Sequence, residues 1–334
     1  MTQDPTQTPV LVLGITGSIG KAIALALDRR GYPIAALTRD PDAAARHLPP
    51  GLKVRWHKGD ALDGAAVQAA AAGAGVIVHA VNPPRYQRWR EDAVPMPAHT
   101  IAAAEAAGAL VVFPGNVYVY SPASGSVVDE RTPFSPQTRK GEVRRDLEMM
   151  LRTAGERGVR SLVIRAGDFF GPGIANSWFA GAMATKGMAT SVIQSLGSVG
   201  HAWGHVPDLA EATARLIDVR GSLATAEVVH FGGHYDATGG EMAAALQRAL
   251  APRRVPIRRF SLTMVRLGAP FVPFLREAIE MRWLWEHPLR LDNRKLERLI
   301  GPEPHTPLDA AVAAALAAPT ATEETARPMP AAAA

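Results

Sequence analysis

Short apolar runs alternate with helical repeats along the first half of the chain. Val10-Leu11-Val12-Leu13 is apolar at four consecutive positions and stops at Gly14. From Lys21 to Arg30, Ala22, Ile23, Ala26 and Leu27 recur at helical spacing and Gly31 follows, which predicts a helix and its stop. Ile34–Leu37, Val76–Val78, Leu110–Phe113 and Val159–Ile164 are further apolar runs. Ala-rich helical stretches precede two of them, and a helix around Arg144 to Arg152 precedes the last. A strand apolar on both faces needs cover on both sides. The alternation therefore predicts an α/β fold with a doubly wound parallel sheet.

After Gly171-Pro172-Gly173 the rhythm loosens. Residues 174–200 are rich in Gly, Ala and Met, residues 208–219 read as a helix again, and residues 255–291 carry Pro, Phe and Trp. The division this suggests is residues 10–172, with 200–232 returning to them, for the sheet domain. Residues 173–199 and 233–315 then form a smaller region. Thr306-Pro307-Leu308-Asp309 predicts a final helix with Thr306 as N-cap and Pro307 in its first position. Residues 318–334, mostly Ala, Pro, Thr and Glu, are expected to be a disordered tail.

Composition narrows the classes. The chain has 334 residues, 47% hydrophobic and 20% charged, which suits a globular protein with an ample core. Thirty-six basic against 31 acidic residues give +5, spread thinly, with only Arg253-Arg254 and Arg258-Arg259 standing out as pairs. No basic stripe with interleaved aromatics is present, so no nucleic-acid partner is expected. Cysteine is absent, which excludes disulfides, thiolate metal sites and a Cys nucleophile and fits a cytoplasmic protein; no metal is expected. Met1 to Pro9 has no basic region ahead of the apolar run, so no signal peptide is expected. No apolar run reaches the about 20 residues of a membrane span, and no membrane partner is expected.

The most informative motif is Gly14-Ile15-Thr16-Gly17-Ser18-Ile19-Gly20, which leaves the first strand and opens the first helix. That context marks a dinucleotide turn. Gly14 permits the tight turn, Gly17 lets the backbone approach a diphosphate, and Gly20 lets helix and strand pack closely. The helix start, with its unpaired N–H groups, holds the anion. Gly14, Thr16, Gly17, Ser18, Ile19 and Gly20 are thus the candidate cofactor cradle. The bland reading is a tight strand–helix turn without a ligand.

The Gly-x-x-Gly-x-x-Gly spacing resembles the extended or atypical short-chain dehydrogenases/reductases, of the NAD-dependent epimerase/dehydratase type. Other segments resemble that family in the right order: Lys58-Gly59-Asp60-Ala61-Leu62-Asp63, Val76 to Asn82, Asp129-Glu130-Arg131-Thr132-Pro133, Arg165 to Gly173, and His205-Val206-Pro207-Asp208-Leu209-Ala210. The resemblance spans roughly residues 10–315. It implies a Rossmann fold whose smaller C-terminal region binds substrate, and adds Asp60, Ala80, Asn82 and Arg165 as cofactor contacts. His79 on its apolar strand reads as a satisfied core histidine. Asp60 and Asp208 have helix capping as an alternative, and for Asp208 capping is the reading preferred. Trp283 and Trp285 read as core or pocket wall.

The second strand ends Thr38-Arg39-Asp40. NAD-preferring members place a carboxylate there for the ribose hydroxyls, whereas an Arg suits a 2′-phosphate. Arg39 therefore points to NADP(H), with NAD possible if Asp40 turns inward.

The resemblance departs at the catalytic positions. The family's Ser aligns with Asn116, its Tyr with Lys140 and its Lys with Arg144, taking Glu148 as the family's downstream Glu. No Tyr lies in that helix. Lys140-x-x-x-Arg144-Arg145-x-x-Glu148 resembles the isoflavone-reductase-like branch, where a Lys stands near the Tyr position. A Lys desolvated beside a nicotinamide loses pKa and becomes a proton donor. Arg144 holds a ribose or a substrate carboxylate, Asn116 hydrogen-bonds a carbonyl, and Tyr118 is the fallback acid. The alternative is that Lys140 and Arg144 form a solvated helix face.

Three functions follow from this reading. The first is an NADPH-dependent reductase of a small carbonyl or activated double bond, monomeric or homodimeric. The others are a nucleotide-sugar epimerase or dehydratase, and a non-catalytic NAD(P)-binding sensor.

Overall fold

The computed structural model describes residues 8–82, 94–174, 177–195, 197–259 and 279–318. Of the residues expected to form a disordered tail, 318–334, all but Ala318, which caps the final helix, lie outside these. The chain forms two compact units. The first takes described residues from Met1–Gly167, Pro207–Gly233 and Leu289–Pro304; the second takes them from Asp168–Val206, His234–Pro288 and His305–Ala334.

The first unit is built on seven strands: β1 (Val10–Leu13), β2 (Ile34–Thr38), β3 (Val54–Lys58), β4 (Val76–His79), β5 (Leu110–Asn116), β6 (Ser161–Ala166) and β7 (Ala226–His230). Their order is β3-β2-β1-β4-β5-β6-β7, and every neighbouring pair is parallel. This is the doubly wound parallel sheet that the apolar runs predict. The chain moves outward from β1 to β2 and β3, then returns to place β4 on the other side of β1. A topological switch point thus lies between the carboxyl ends of β1 and β4, where a crevice opens in such sheets.

The sheet is flanked by α1 (Ser18–Asp28), α2 (Pro41–Arg46), α3 (Gly64–Ala71), α4 (Pro95–Ala107), α5 (Arg139–Gly155) and α6 (Val206–Asp218). Leu11, Leu13, Ile77, Val111, Phe113 and Val163 of the strands pack with Ile101, Ala104, Leu147 and Leu151 of α4 and α5 in one buried cluster. At the sheet edge, β3 has no fully buried residue, which is why no apolar run announces it.

Three boundaries differ from the sequence reading. Helix α1 begins at Ser18, three residues early, inside the glycine motif itself. Strand β6 begins at Ser161 because the Val159 N–H is bonded to the Ala154 carbonyl, prolonging the turn after α5. The final helix spans Leu308–Ala317 with Pro307 as its cap, not Thr306, because Pro307 is extended with ψ 137°.

In the second unit the strand 201–205 lies parallel to 168–170 and antiparallel to 234–236. A parallel pair joins 193–195 to 257–259. Phe170 packs against Phe179 and His205, with ring centroids 5.6 and 5.2 Å apart. Trp178 meets Trp285 edge to face at 4.3 Å. Trp283 and Trp285 are buried, as expected of core residues. The ring nitrogens of His201 face two acceptors, the Asp168 carboxylate at 3.0 Å and the Leu284 carbonyl at 3.0 Å. Burial lowers its pKa, but the Asp168 carboxylate outweighs this and the net direction is upward.

Among the described residues no helix is long and apolar enough to cross a membrane, and no group of His, Cys, Asp or Glu is arranged to hold a metal ion.

Candidate active site

The three glycines of the β1–α1 turn have different reasons to be glycine. Gly14 sits at φ +87°, and a Cβ there would lie 2.6 Å from the Ala80 carbonyl oxygen. A side chain at this position would thus both strain the backbone and collide with the chain just beyond β4. At Gly20 a Cβ would lie 2.3 Å from the Gly14 carbonyl oxygen, so α1 closes directly onto the turn. Gly17 is different. Its φ is −73°, and the nearest atom to a Cβ would be the Gly14 carbonyl oxygen at 3.2 Å. Its contacts inside the chain do not by themselves demand glycine.

Thr16 and Gly17 are exposed, and Ser18 and Ile19 are half-buried. Gly17 is the N-cap of helix α1, which has no side-chain cap. By contrast Asp40 caps α2, Asp63 caps α3 and Thr138 caps α5 with side-chain oxygens. An exposed helix start without a side-chain cap, at a switch point, is the arrangement that receives an anion such as a diphosphate. These residues fit a nicotinamide dinucleotide.

At the ends of β2 and β3, Arg39 Nε lies 3.9 Å from Asp60 Oδ2, and the Arg39 side chain is 78% exposed. Asp40 does not turn toward the crevice; its carboxylate accepts the Ala43 N–H at 2.9 Å. Asp60 does not cap α3 either. It accepts the Leu62 N–H at 3.0 Å in a local turn, and the cap is Asp63. Asp208 lies within the first turn of α6 rather than at its cap.

His79 is buried with Nδ1 2.8 Å from the Thr100 hydroxyl, and its ring stacks on Phe113. Burial, with the Arg144 charge adding to it, holds its pKa down at about 3. It is a neutral core histidine across the physiological range.

The candidate catalytic residues converge at the carboxyl end of β5. Asn116 ends that strand, and its Oδ1 accepts the Tyr118 N–H at 3.1 Å, capping the single turn Val117–Val119. This bond occupies the Asn116 amide oxygen and leaves its NH2 group as the donor. The turn packs on the start of α5: a Cβ at Gly141 would lie 2.3 Å from the Tyr118 carbonyl oxygen. Gly141 therefore sets how closely Tyr118 approaches Lys140 on the adjoining position of the helix. Lys140 and Tyr118 are both half-buried.

Arg144, one turn beyond Lys140, is 9% exposed. It donates through Nη2 to Asn82 Oδ1 at 3.1 Å and lies over the Phe113 ring at 5.8 Å. A solvated helix face is thus ruled out for Arg144. Asn82 follows β4, so this bond ties α5 to the switch-point side of the sheet. A groove lined by Ala98, Ile101, Met149 and Met150 shares no residue with this cluster.

Arg165, expected as a cofactor contact, is engaged elsewhere. It is 3% exposed and grips Glu148 of α5 through Nε at 3.0 Å and Nη2 at 2.6 Å. Its Nη1 donates to the Tyr120 hydroxyl, and that oxygen is 2.8 Å from His230 Nε2. Burial disfavours the Arg165 charge, but the Glu148 carboxylate more than offsets this and raises its pKa. The set links α5 to the turn after β5 and to the ends of β6 and β7. Spacing within the sequence gives no sign of it, because its members are 45 to 110 residues apart for the Tyr120 bonds. Arg165→Met leaves Glu148 as an unpaired buried charge, and is expected to cost about 3–5 kcal/mol in urea denaturation. A loss under about 1 kcal/mol would show that the pair does not hold α5 in place.

Comparison with known proteins now adds to this geometry. The model of the NAD dependent epimerase/dehydratase family matches residues 10–232. A curated Streptomyces sp. protein, 3-diazoavenalumate denitrifying reductase, is 31% identical over an alignment of 182 positions that covers 49% of this chain and 57% of that protein. The match thus spans just over half the length of that relative. Solved structures share the fold. Bordetella bronchiseptica WbmH in complex with NAD+ has a TM-score of 0.68 at 19% identity, over 93% of this chain and 97% of that one. The UDP-glucose 4-epimerase of Bifidobacterium longum in complex with NAD+ and UDP has 0.69 at 16%, over 92% and 97%. DesIV, the dTDP-glucose 4,6-dehydratase of Streptomyces venezuelae, has 0.70 at 18%, over 92% and 96%.

Proposed function

The chain belongs to the NAD-dependent epimerase/dehydratase family, and on that premise we propose that it is an NADPH-dependent reductase of a small carbonyl compound or activated double bond. One observation carries this reading. Lys140 and buried Arg144 stand one turn apart on α5 beside Asn116 and Tyr118, and no tyrosine lies in that helix. Inverting or dehydrating a sugar requires a group that takes a proton and returns it, the usual role of the family's tyrosine. Reduction requires only a positioned acceptor and a proton donor.

A nicotinamide cofactor held at the glycine turn would be the source of the hydride for the electrophilic carbon. The Asn116 amide orients the substrate oxygen. Arg144 stays charged at every working pH, so it stabilises negative charge growing on that oxygen without giving up a proton. Lys140 donates the proton that completes the reduction. A relative that is itself a reductase is consistent with this assignment.

NADP(H) is the cofactor proposed. Arg39 is exposed at the end of β2 while the neighbouring carboxylate, Asp40, is spent on capping α2. Arg39→Ala is expected to weaken NADPH by about 1.5–3 kcal/mol, the worth of a charged hydrogen bond, and to leave NADH nearly unchanged. Calorimetric titration with both cofactors checks this, and equal losses for the two would reverse the assignment.

The function itself is tested by following NADPH oxidation against panels of carbonyl compounds and enones, and product formation from nucleotide sugars with catalytic NAD(P), since epimerisation and dehydration consume no net cofactor. NADPH oxidation on the first two with no nucleotide-sugar product supports the reductase. Nucleotide-sugar conversion without NADPH oxidation would replace it with the epimerase or dehydratase reading. Tight cofactor binding with no turnover on any panel would favour the sensor.

A further inference from the structure

The two arginine pairs that stand out in the sequence play no part in the proposed chemistry, and the fold of the second unit gathers them. Residues 257–259, Ile257-Arg258-Arg259, form a strand whose three residues are all exposed. Among the described residues it pairs on one side only, with 193–195. Arg253, just upstream, donates to the carbonyl oxygens of Met188 at 2.7 Å and Thr190 at 2.8 Å. That contact fixes the 185–190 turn, with exposed Lys186 and Met188, against the start of the arginine segment. Met188 is 51% and Ile257 48% exposed, two of the most exposed large apolar residues described.

Acidic residues are missing from these segments. Between Arg248 and Glu277 the sequence has six arginines and no Asp or Glu. Arg248 itself is neutralised by Asp309, but Arg254, Arg258, Arg259 and Lys186 have no carboxylate within their own segments. An open strand edge is commonly protected by charge. Protection alone does not account for Ile257 between the two pairs or for Met188 beside them.

We propose that this face, formed by Lys186, Met188, Arg254, Ile257, Arg258 and Arg259, is a docking surface for a bilayer rich in anionic lipids. Charge complementarity selects the headgroups, and cations near such a surface add their attractions. The two exposed apolar side chains select a bilayer over a soluble polyanion, because only an interface offers acyl chains beneath the phosphates. Strand geometry places Ile257 and Arg259 on one face and Arg258 on the other. An edge-on approach along the edge that has no strand partner among the described residues brings all three to the headgroups. The expectation of no membrane partner rested on the lack of a spanning segment, and peripheral docking needs none.

The test is sedimentation of the full chain with vesicles of equal parts phosphatidylglycerol and phosphatidylcholine, against vesicles of phosphatidylcholine alone. Binding is expected to the first only, and to weaken as ionic strength rises. The triple variant Arg254→Ala, Arg258→Ala, Arg259→Ala is expected to lose about 5-fold in partitioning per arginine, roughly 100-fold in all. NADPH affinity and thermal stability of that variant are expected to be unchanged, since none of the three belongs to the site on α5 and the glycine turn. Met188→Ser with Ile257→Ser is expected to weaken vesicle binding while sparing any binding to duplex DNA. Failure of the full chain to sediment with the anionic vesicles, or sedimentation of the triple variant as strong as the parent's, would overturn the proposal. So would equal binding of the apolar variant to vesicles, which would make the face a general polyanion site.

Discussion

Gly17→Val is expected to weaken NADPH and NADH alike by 100-fold or more while leaving the fold intact. The expectation rests on the different tasks of the three glycines. A Cβ at Gly17 would approach only the Gly14 carbonyl oxygen, at 3.2 Å, which a small shift relieves. The same atom at Gly20 would lie 2.3 Å from that oxygen, and at Gly14 it would meet Ala80 at a φ of +87°. Inside the chain, therefore, Gly17 is the most replaceable of the three. Thr16 and Gly17 itself are exposed and α1 has no side-chain cap, so a valine there projects onto the surface where a diphosphate would lie. Loss of two hydrogen bonds from backbone N–H groups to a charged group, at about 1.5–3 kcal/mol each, corresponds to at least about 100-fold in affinity. Gly20→Val supplies the contrast: it is expected to lower the thermal midpoint sharply, because the clash is with backbone. Calorimetry and thermal melts on both variants decide the matter. If Gly17→Val retains the parent's affinity, the turn is only a tight connection.

The same glycines show what can be read from sequence and what cannot. Gly-x-x-Gly-x-x-Gly between an apolar run and a helical repeat is legible, because backbone approach requires glycine wherever such a turn forms. The central strands are legible for a similar reason. Val10–Leu13 and Val76–His79 are buried at every position, and burial on both faces favours the apolar residues that fill all but His79, whose Nδ1 is matched by Thr100. β3 is not legible in this way, since it lies at the edge with half-exposed residues. Arg165 shows the limit more sharply. Its segment, Arg165 to Gly173, resembles a cofactor-contacting one, yet the fold places Arg165 inside β6 with Glu148 and Tyr120 around its guanidinium. No local spacing encodes a network whose members come from four different elements. Thr306 fails for a simpler reason: Pro307 can occupy a helix's first position or stand just before it, and only ψ distinguishes the two.

Lys140→Met is expected to lower turnover on the best reducible substrate by about 10²–10⁴-fold, the usual contribution of a positioned proton donor, with little effect on NADPH affinity. Methionine keeps the length and apolar stem of the side chain and removes the proton. The position is set from both sides. Thr138 caps α5 through the Gly141 N–H at 3.0 Å, and Gly141 lets the helix start press against the Tyr118 carbonyl. Lys140 lies between these two anchors, one turn ahead of Arg144. Arg144 does not replace it, because a guanidinium does not release a proton near neutral pH. Tyr118 is the group that must be tested against it. The Tyr118 N–H is tied to Asn116, so Tyr118→Phe leaves the turn intact and removes only the hydroxyl. That variant is expected to lose less than about 10-fold, as for a group that polarises the site without supplying the proton. Measured side by side at saturating NADPH, the two substitutions have distinguishable outcomes. A large loss for Lys140→Met with a small one for Tyr118→Phe supports lysine as the acid. The reverse order makes Tyr118 the acid and leaves Lys140 to position the substrate. Full turnover in both variants would end the proton-donor assignment altogether and move the chemistry away from the start of α5.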